Sequence, residues 1–434
     1  MKKTKLISLL IIILISFTGC LAKTELEDYA YVIAIGVDRG SGDKYLVSFQ
    51  IAVPIKIAGE GSKGGKESTS LVTLETDTLY NSISRADAMI SKEITLSHNK
   101  LIVISEELAK EGVQELLNAF VTNRDIRPKT SIIVYRGQSK ELLSNLEPIL
   151  EKSPARYYDL LLDSNQYTGY AIDNNLFNFY LSSKDILSSP YALLTEPVRE
   201  EESSIEIPSV SKNNPDSTSA EGGQAEVNDS TGGSQNKQSA ANKENDSSEN
   251  SDTPKTANIA GIAVFADDKL VGEIKNEQIL SHVMLLGKLQ KVNMDIEDIK
   301  DKSKTTVIKT RQIESPKIDV TINNDIPHID ILIRLECDLI TSGSQIDYTK
   351  KENKEKLSKN IKEKLLHDMN IYLNKISKEY KTDPIGFGKH YRIKLSTLED
   401  LENLKWNKIF PNSKFNVNFQ IHLDTTQMVS NQVS

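Results

Sequence analysis

A multi-domain α+β fold is predicted, with an N-terminal mixed α/β sheet domain and a C-terminal α+β domain in which one long helix packs on an antiparallel sheet. Three observations predict it. Between Tyr29 and Leu150, short runs rich in β-branched residues alternate with segments of helical periodicity, as in a sheet with crossover helices. From Asn258 onward, apolar runs come in pairs separated by tight polar turns, the mark of hairpins. Between Lys351 and Tyr380, apolar side chains recur at steps of three or four, the spacing of one helix face.

The chain opens with Lys2, Lys3 and Lys5, followed by a twelve-residue apolar run, Leu6 to Phe17, and then Thr18-Gly19-Cys20. A bilayer-spanning helix needs roughly twenty apolar residues, so the run reads as an export signal. A cysteine directly after a small residue resembles the bacterial lipobox. Cleavage between Gly19 and Cys20 is expected, with Cys20 carrying a diacylglycerol on sulfur and an acyl chain on its new amino group. More than one acyl chain gives stable anchoring where a single chain does not. Residues 1–19 are therefore the signal peptide and Cys20 the tether.

Tyr29–Val37 and Tyr45–Val53 read as strands joined by the turn chemistry of Asp38 to Asp43. Leu71–Glu75 is a further strand, and Leu79–Ile90 a helix with Leu79, Ile83, Ala86 and Ile90 on one face. Lys100–Ser105 and Ser131–Tyr135 are strands, and Glu106–Phe120 and Lys140–Leu150 helices. Pro154–Leu162 and Asn174–Leu187 look helical and complete a domain over 20–199. Residues 200–256 change character: Ser, Asn, Gly and acids replace large apolar residues. Such a tract cannot offset its own ordering entropy and is expected to be a disordered linker or inserted loop.

A C-terminal domain over 257–430, divisible near residue 304, begins with a hairpin of Asn258–Ala266 and Lys269–Ile274. Asn276–Gly287 reads as a helix, then Thr305–Gln312, Lys317–Ile322 and His328–Ile340 as strands. The long helix carries Leu357, Ile361, Leu365, Met369, Leu373, Ile376 and Tyr380 on one face, and it stops before Pro384, because proline disfavours helical geometry in the residue preceding it. Phe415–Leu423 alternates strictly and makes a closing strand.

Glu200–Lys255 hold twelve acids against four lysines, a net −8. The formal charge of the whole chain is also −8, and removal of the three signal lysines makes the mature chain −11. The folded segments are thus near neutral, which excludes a basic nucleic-acid footprint. Only one cysteine besides Cys20 exists, Cys337 in a strand, so no disulfide framework is expected and Cys337 reads as a small buried hydrophobe. Gly59, Gly61 and Gly64 fit G-x-G-x-x-G, but between two strands rather than before a helix, which removes the dinucleotide reading. Ser97-His98-Asn99-Lys100 fits S-x-x-K without its companion motifs. None of the six histidines has a partner at zinc-ligand spacing. No catalytic residue, cofactor site or metal site is predicted.

Several stretches carry a more specific likeness. They include Gly19-Cys20, Ala34-Ile35-Gly36-Val37-Asp38, His98-Asn99-Lys100-Leu101-Ile102-Val103-Ile104, Arg124-Asp125-Ile126-Arg127-Pro128 and Tyr135-Arg136-Gly137. After the acidic tract come Gly261-Ile262-Ala263-Val264-Phe265 with Asp268-Lys269-Leu270-Val271-Gly272, then Asp383-Pro384-Ile385-Gly386-Phe387-Gly388, and Trp406 before Phe410-Pro411. In this order they resemble the Ger(x)C spore-germination lipoproteins, the C subunits of nutrient germinant receptors. Members usually have Trp-Asp after the cysteine, where this chain has Leu21-Ala22. The resemblance implies a non-enzymatic, elongated α+β protein, lipid-anchored on the extracytoplasmic face of the spore inner membrane. It implies integral-membrane A and B subunits as partners and no cofactor. A solute-binding lipoprotein of a transporter is the competing expectation, and would need two similar lobes around a cleft.

Overall fold

The computed structural model describes residues 28–53, 69–146, 154–163, 169, 172, 174–197, 257–275 and 277–425. The predicted signal segment and Cys20, the glycine-rich loop and the acidic tract lie outside the described residues.

The first sheet comprises β1 (Tyr29–Arg39), β2 (Tyr45–Ala52), β3 (Thr69–Thr76), β4 (Glu93–Thr95), β5 (Leu101–Ser105), β6 (Ser131–Tyr135), β7 (Tyr191–Pro197), β8 (Ala257–Ala266) and β9 (Lys269–Ile274). Its order is β3-β2-β1-β5-β6-β7-β8-β9, with β4 beside β1. Strands β1, β5, β6 and β7 are parallel, and each flank is closed by antiparallel strands. β5 and β6 are buried at every position, which is why they read as unbroken apolar runs rather than alternating ones.

Helices α1 (Leu79–Ile90), α2 (Glu106–Glu111) and α3 (Gln114–Thr122) cover one face. α4 (Ser139–Asn145) and α5 (Pro154–Asp163) cover part of the other, and α6 (Leu176–Lys184) joins the first group. The single helix expected over Glu106–Phe120 is two. The break falls at Gly112, whose φ of +128° suits glycine, and a Cβ there would lie 2.8 Å from the Asp268 carboxylate. Asp268, from the β8–β9 turn, takes the Val113 N–H on its carbonyl at 3.1 Å and the Gln114 N–H on its carboxylate at 3.0 Å. It thereby caps α3, satisfying amides that the helix start leaves open.

Strands β8 and β9, which open the segment expected to form the C-terminal domain, extend the first sheet. β8 pairs antiparallel with β7, and Pro197 faces Ala257. The acidic tract therefore leaves and re-enters the first sheet at adjacent positions, as an excursion within it rather than a bridge from one sheet to the next.

The second sheet holds β10 (Val292–Glu297), β11 (Thr305–Gln312), β12 (Lys317–Asn323), β13 (Ile326–Thr341) and β14 (Lys414–Asp424). β13 spans the sheet and pairs with β12 in its first half and β11 in its second. The sheet is antiparallel but for β14, which runs parallel to β13. Helix α7 (Glu277–Leu285) precedes this sheet, and α8 (Lys351–Asn374) packs on it through Leu357, Ile361, Leu365, Met369 and Leu373. The helix does not stay α to its end: Lys375–Glu379 form a π turn, with the Ser377 hydroxyl donating to the Leu373 carbonyl at 2.7 Å. Ile376 remains in the core, while Tyr380 swings out toward β9.

One apolar cluster runs from Ile262, Val264 and Ile274 of the first sheet, through Ile279 and Val283 of α7, to α8 and the inner face of the second sheet. The two halves are dissimilar and share this core, so the described residues do not form paired lobes around a cleft.

Candidate functional site

The chain leaving α8 crosses back to the first sheet over Tyr380–Gly388, and there the family-like motifs converge. Tyr380 reaches β9. Its hydroxyl accepts the Glu273 N–H at 3.0 Å and donates to the Glu273 carbonyl at 2.8 Å. Its ring lies on Gly272, where a Cβ would come within 2.2 Å of two ring carbons. Any side chain at 272 would displace the ring.

Two residues on, the Thr382 hydroxyl donates to the Phe265 carbonyl of β8 at 2.9 Å and shares a hydrogen bond with the Ser189 hydroxyl. The Ser189 N–H donates to the Asp383 carbonyl at 2.8 Å, and the Asp383 N–H to the Ser189 hydroxyl at 3.3 Å. This stretch is fixed to the start of β7 and the end of β8.

Asp383 is fully buried and organises the turn that follows. Its carboxylate accepts the Gly386 N–H at 2.8 Å, the Gly388 N–H at 3.0 Å and the Trp406 indole N–H at 2.9 Å. Burial pushes its pKa up to about 6, against these three donors and the Phe387 amide, which favour the anion. Gly386 has a φ of +80°, and a Cβ on Gly388 would sit 2.7 Å from the Leu187 carbonyl and 2.9 Å from the Trp406 ring, so both positions require glycine. Gly388 belongs to α9 (Phe387–Arg392), which leads through α10 (Leu398–Asn403) to α11 (Trp406–Ile409). Phe387, Trp406, Phe410 and Phe415 then pack ring to ring beneath the turn.

A similar device fixes the first sheet. The buried Asp38 carboxylate accepts the Ser139 N–H at 2.5 Å, the Ser139 hydroxyl at 2.9 Å and the Lys140 N–H at 3.1 Å, capping α4. Its pKa is raised by burial, with those donors pulling the other way. Gly36 lets Ser139 approach, since a Cβ there would lie 2.5 Å from its hydroxyl. Arg136 gathers Glu106, Glu196 and Glu273 at the carboxyl ends of β6 and β7 and beside β9.

These clusters position backbone; they do not assemble chemistry. Lys100 pairs with Asp159 at 3.3 Å rather than with Ser97, so the S-x-x-K pattern is not brought together. Ser97 and His98 touch at 3.0 Å as chain neighbours, and His98 is exposed. His282 is buried against Tyr372, 2.6 Å from its hydroxyl, and burial pushes its pKa down to about 3, so it stays neutral. Cys337 is buried as expected, its thiol pushed up to about 11 by burial. Among the described residues no three His, Cys, Asp or Glu side chains converge to hold a metal. Among them, too, no helix is long and apolar enough to cross a membrane. Gly19 and Cys20, the predicted cleavage and lipidation residues, lie outside the described residues.

The motif Asp383 to Gly388 is visible in the sequence, but not that Asp383 is the residue holding the turn. The available signal was an acid ahead of proline at a helix stop, with two glycines following.

The family model described as "Spore germination protein N-terminal domain" matches residues 22–196. That described as "Spore germination B3/ GerAC like, C-terminal" matches residues 260–427. The putative spore germination protein YfkR of Bacillus subtilis (strain 168) is 21% identical over 414 residues, covering 94% of this chain and 92% of the relative. Spore germination protein B3 of the same organism is 21% identical over 427 residues, covering 97% and 98%. Its spore germination protein KC is 29% identical over 167 residues, 37% of this chain and 41% of the relative. The crystal structure of the GerBC protein is similar with a TM-score of 0.49 and 17% identity, covering 90% of this chain and 96% of that one.

Proposed function

Because the chain belongs to the GerAC-like spore germination protein family through both its N-terminal and its C-terminal domain, we propose that it is the lipid-anchored C subunit of a membrane nutrient germinant receptor. Its role there is non-enzymatic. It stands on the extracytoplasmic face of the spore inner membrane beside integral-membrane A and B subunits, and is needed for nutrient-triggered germination. The observation that carries this reading is the match of both family domains, in order, along nearly the whole described chain. The geometry supports it. The motifs shared with the family are spent on fixing strands and turns, which suits a rigid body offered to neighbours. A lipid on Cys20 would confine that body to two dimensions and raise its effective concentration near membrane subunits.

Deleting the gene, together with any paralogue, is expected to abolish the response to at least one nutrient, and a Cys20→Ala form is expected to leave the membrane fraction. Unchanged germination with every nutrient in the deletion strain would overturn the receptor reading. Full retention of Cys20→Ala in the membrane would overturn the anchor.

A further inference from the structure

The two most exposed large apolar side chains described are Ile393, 86% exposed, and Leu398, 75% exposed. They sit five residues apart on one short, rigid connection. Ile393 ends α9, where the Lys394 N–H donates to the Tyr391 carbonyl at 2.9 Å and the Leu395 N–H to the Arg392 carbonyl at 3.1 Å. Leu398 opens α10, which is capped by a reciprocal pair: the Asp400 N–H donates to the Thr397 hydroxyl at 3.1 Å, and the Thr397 N–H to the Asp400 carboxylate at 3.0 Å. The base of the connection is pinned, with Lys394 Nζ 2.7 Å from Asp319. Tyr391, Leu401 and Leu404 turn inward to the core, while Ile393 and Leu398 stay outside it. Such a fold holds two aliphatic side chains in water at a hydration cost that an apolar environment would remove.

The position of this connection in the fold identifies that environment. α9 lies against the amino end of β7, where Gly388 meets Leu187 and Lys389 pairs with Asp185 at 3.2 Å. β1 runs parallel to β5, β6 and β7, so Asp28 enters the first sheet at that same end. β7 is three ladder spacings from β1, about 14 Å, and the register puts Ala34 level with Tyr191, so Asp28 projects about 20 Å beyond the start of β7 on that side. From Cys20 to Asp28 the chain can reach no more than about 28 Å. A lipid on Cys20 thus keeps this end of the sheet within reach of the bilayer, with Ile393 and Leu398 one six-residue helix away from β7.

We propose that the α9–α10 connection is a second membrane contact, inserting Ile393 and Leu398 into the headgroup region of the bilayer so that the body is oriented and not merely leashed. The inference rests on the lipid-anchor reading of Cys20. Exposed Arg392, Lys405 and Lys408 flank the two side chains in sequence, but exposed Glu399, Asp400 and Glu402 match that charge, so apolar insertion carries the contact.

The test places an environment-sensitive fluorophore at Ile393→Cys, Leu398→Cys or Asp43→Cys. Asp43 is fully exposed in the β1–β2 turn, about 33 Å along β1 from Asp28. Cys337 is buried and stays unlabelled. The protein is held on phosphatidylglycerol–phosphatidylethanolamine vesicles by a histidine tag replacing residues 1–20, bound to a chelating lipid, so the loop is read independently of Cys20. Quenching by lipid brominated near the headgroup is expected at 393 and 398 and not at 43, with little change on raising salt. No quenching at 393 and 398, or protection there only when integral-membrane subunits are reconstituted alongside, would overturn the proposal. A parallel flotation of the native lipoprotein reads the anchor alone: its failure counts against Cys20 acylation whatever the labels report.

Discussion

Gly272→Ala isolates the contact between Tyr380 and β9. Gly272 does not occupy the left-handed region, so alanine can adopt its backbone conformation and the cost falls on the neighbour alone. That neighbour is the Tyr380 ring, 2.2 Å from the new methyl at both Cε1 and Cζ. The half-buried ring, which also has Lys375 Nζ 5.5 Å from its centroid, must move by more than an ångström to admit the methyl, and the hydroxyl then loses both bonds to Glu273. Two hydrogen bonds at about 1 kcal/mol each, with overpacking of about 1–3 kcal/mol, predict a loss of roughly 3–5 kcal/mol. The assay is urea unfolding followed by the fluorescence of Trp406, the sole tryptophan of the chain. Tyr380→Ala should cost a similar amount, and adding Gly272→Ala to it should then cost little, because the clash is gone. A Gly272→Ala loss that is as large in the Tyr380→Ala background as in the wild type would refute the reasoning. So would a single variant of wild-type stability.

Three further outcomes follow from the same geometry. The raised pKa of Asp383 means that the folded protein holds a proton the unfolded chain releases. Its contribution is fully present below the ordinary carboxylate value of 3.8 and is lost as pH rises through about 6. Relative to Asp383→Asn, the wild type should therefore lose up to roughly 3 kcal/mol between pH 4 and 7, and parallel stability profiles of the two proteins would contradict this. Trp406→Phe keeps the ring packing but strands one lobe of the Asp383 carboxylate, and should cost about 1.5–3 kcal/mol at pH 7.5 by chemical denaturation, a cost that vanishes in the Asp383→Asn background. Replacing residues 201–254 by a five-residue turn should leave the fold intact and stabilise it by up to about 2 kcal/mol, since Pro197 and Ala257 are already paired; loss of the far-ultraviolet dichroism of the sheets would show the tract to be integral.

Much of the architecture was legible because it depends on local periodicity. α1, β6, β9 and β11 have the bounds that their apolar patterns predict, and the apolar stripe from Leu357 to Ile376, along α8 and into its π turn, is buried as its spacing requires. The misses have physical causes. Glu106–Phe120 keeps helical periodicity through Gly112, but the chain leaves the helix there at a φ of +128°, and Asp268 from a distant turn caps the next one. β7 is short, ends at a proline and abuts the acidic tract, so nothing local marks it as the partner of β8. The π turn at Lys375–Glu379 leaves no trace in the apolar stripe, yet it redirects Tyr380 from the core to Gly272.

By itself the sequence determined the α+β class, the long helix, the acidic composition of 200–256 and the likeness to germination proteins. Each of these is carried by neighbouring residues or by a fixed spacing. Only the tertiary structure decided that the strands on either side of the acidic tract are partners in one sheet, that a single core joins the two halves, and that Asp383 is the buried acid tying them together. Strand pairing and burial depend on residues far apart in the chain, whose meeting no local pattern records.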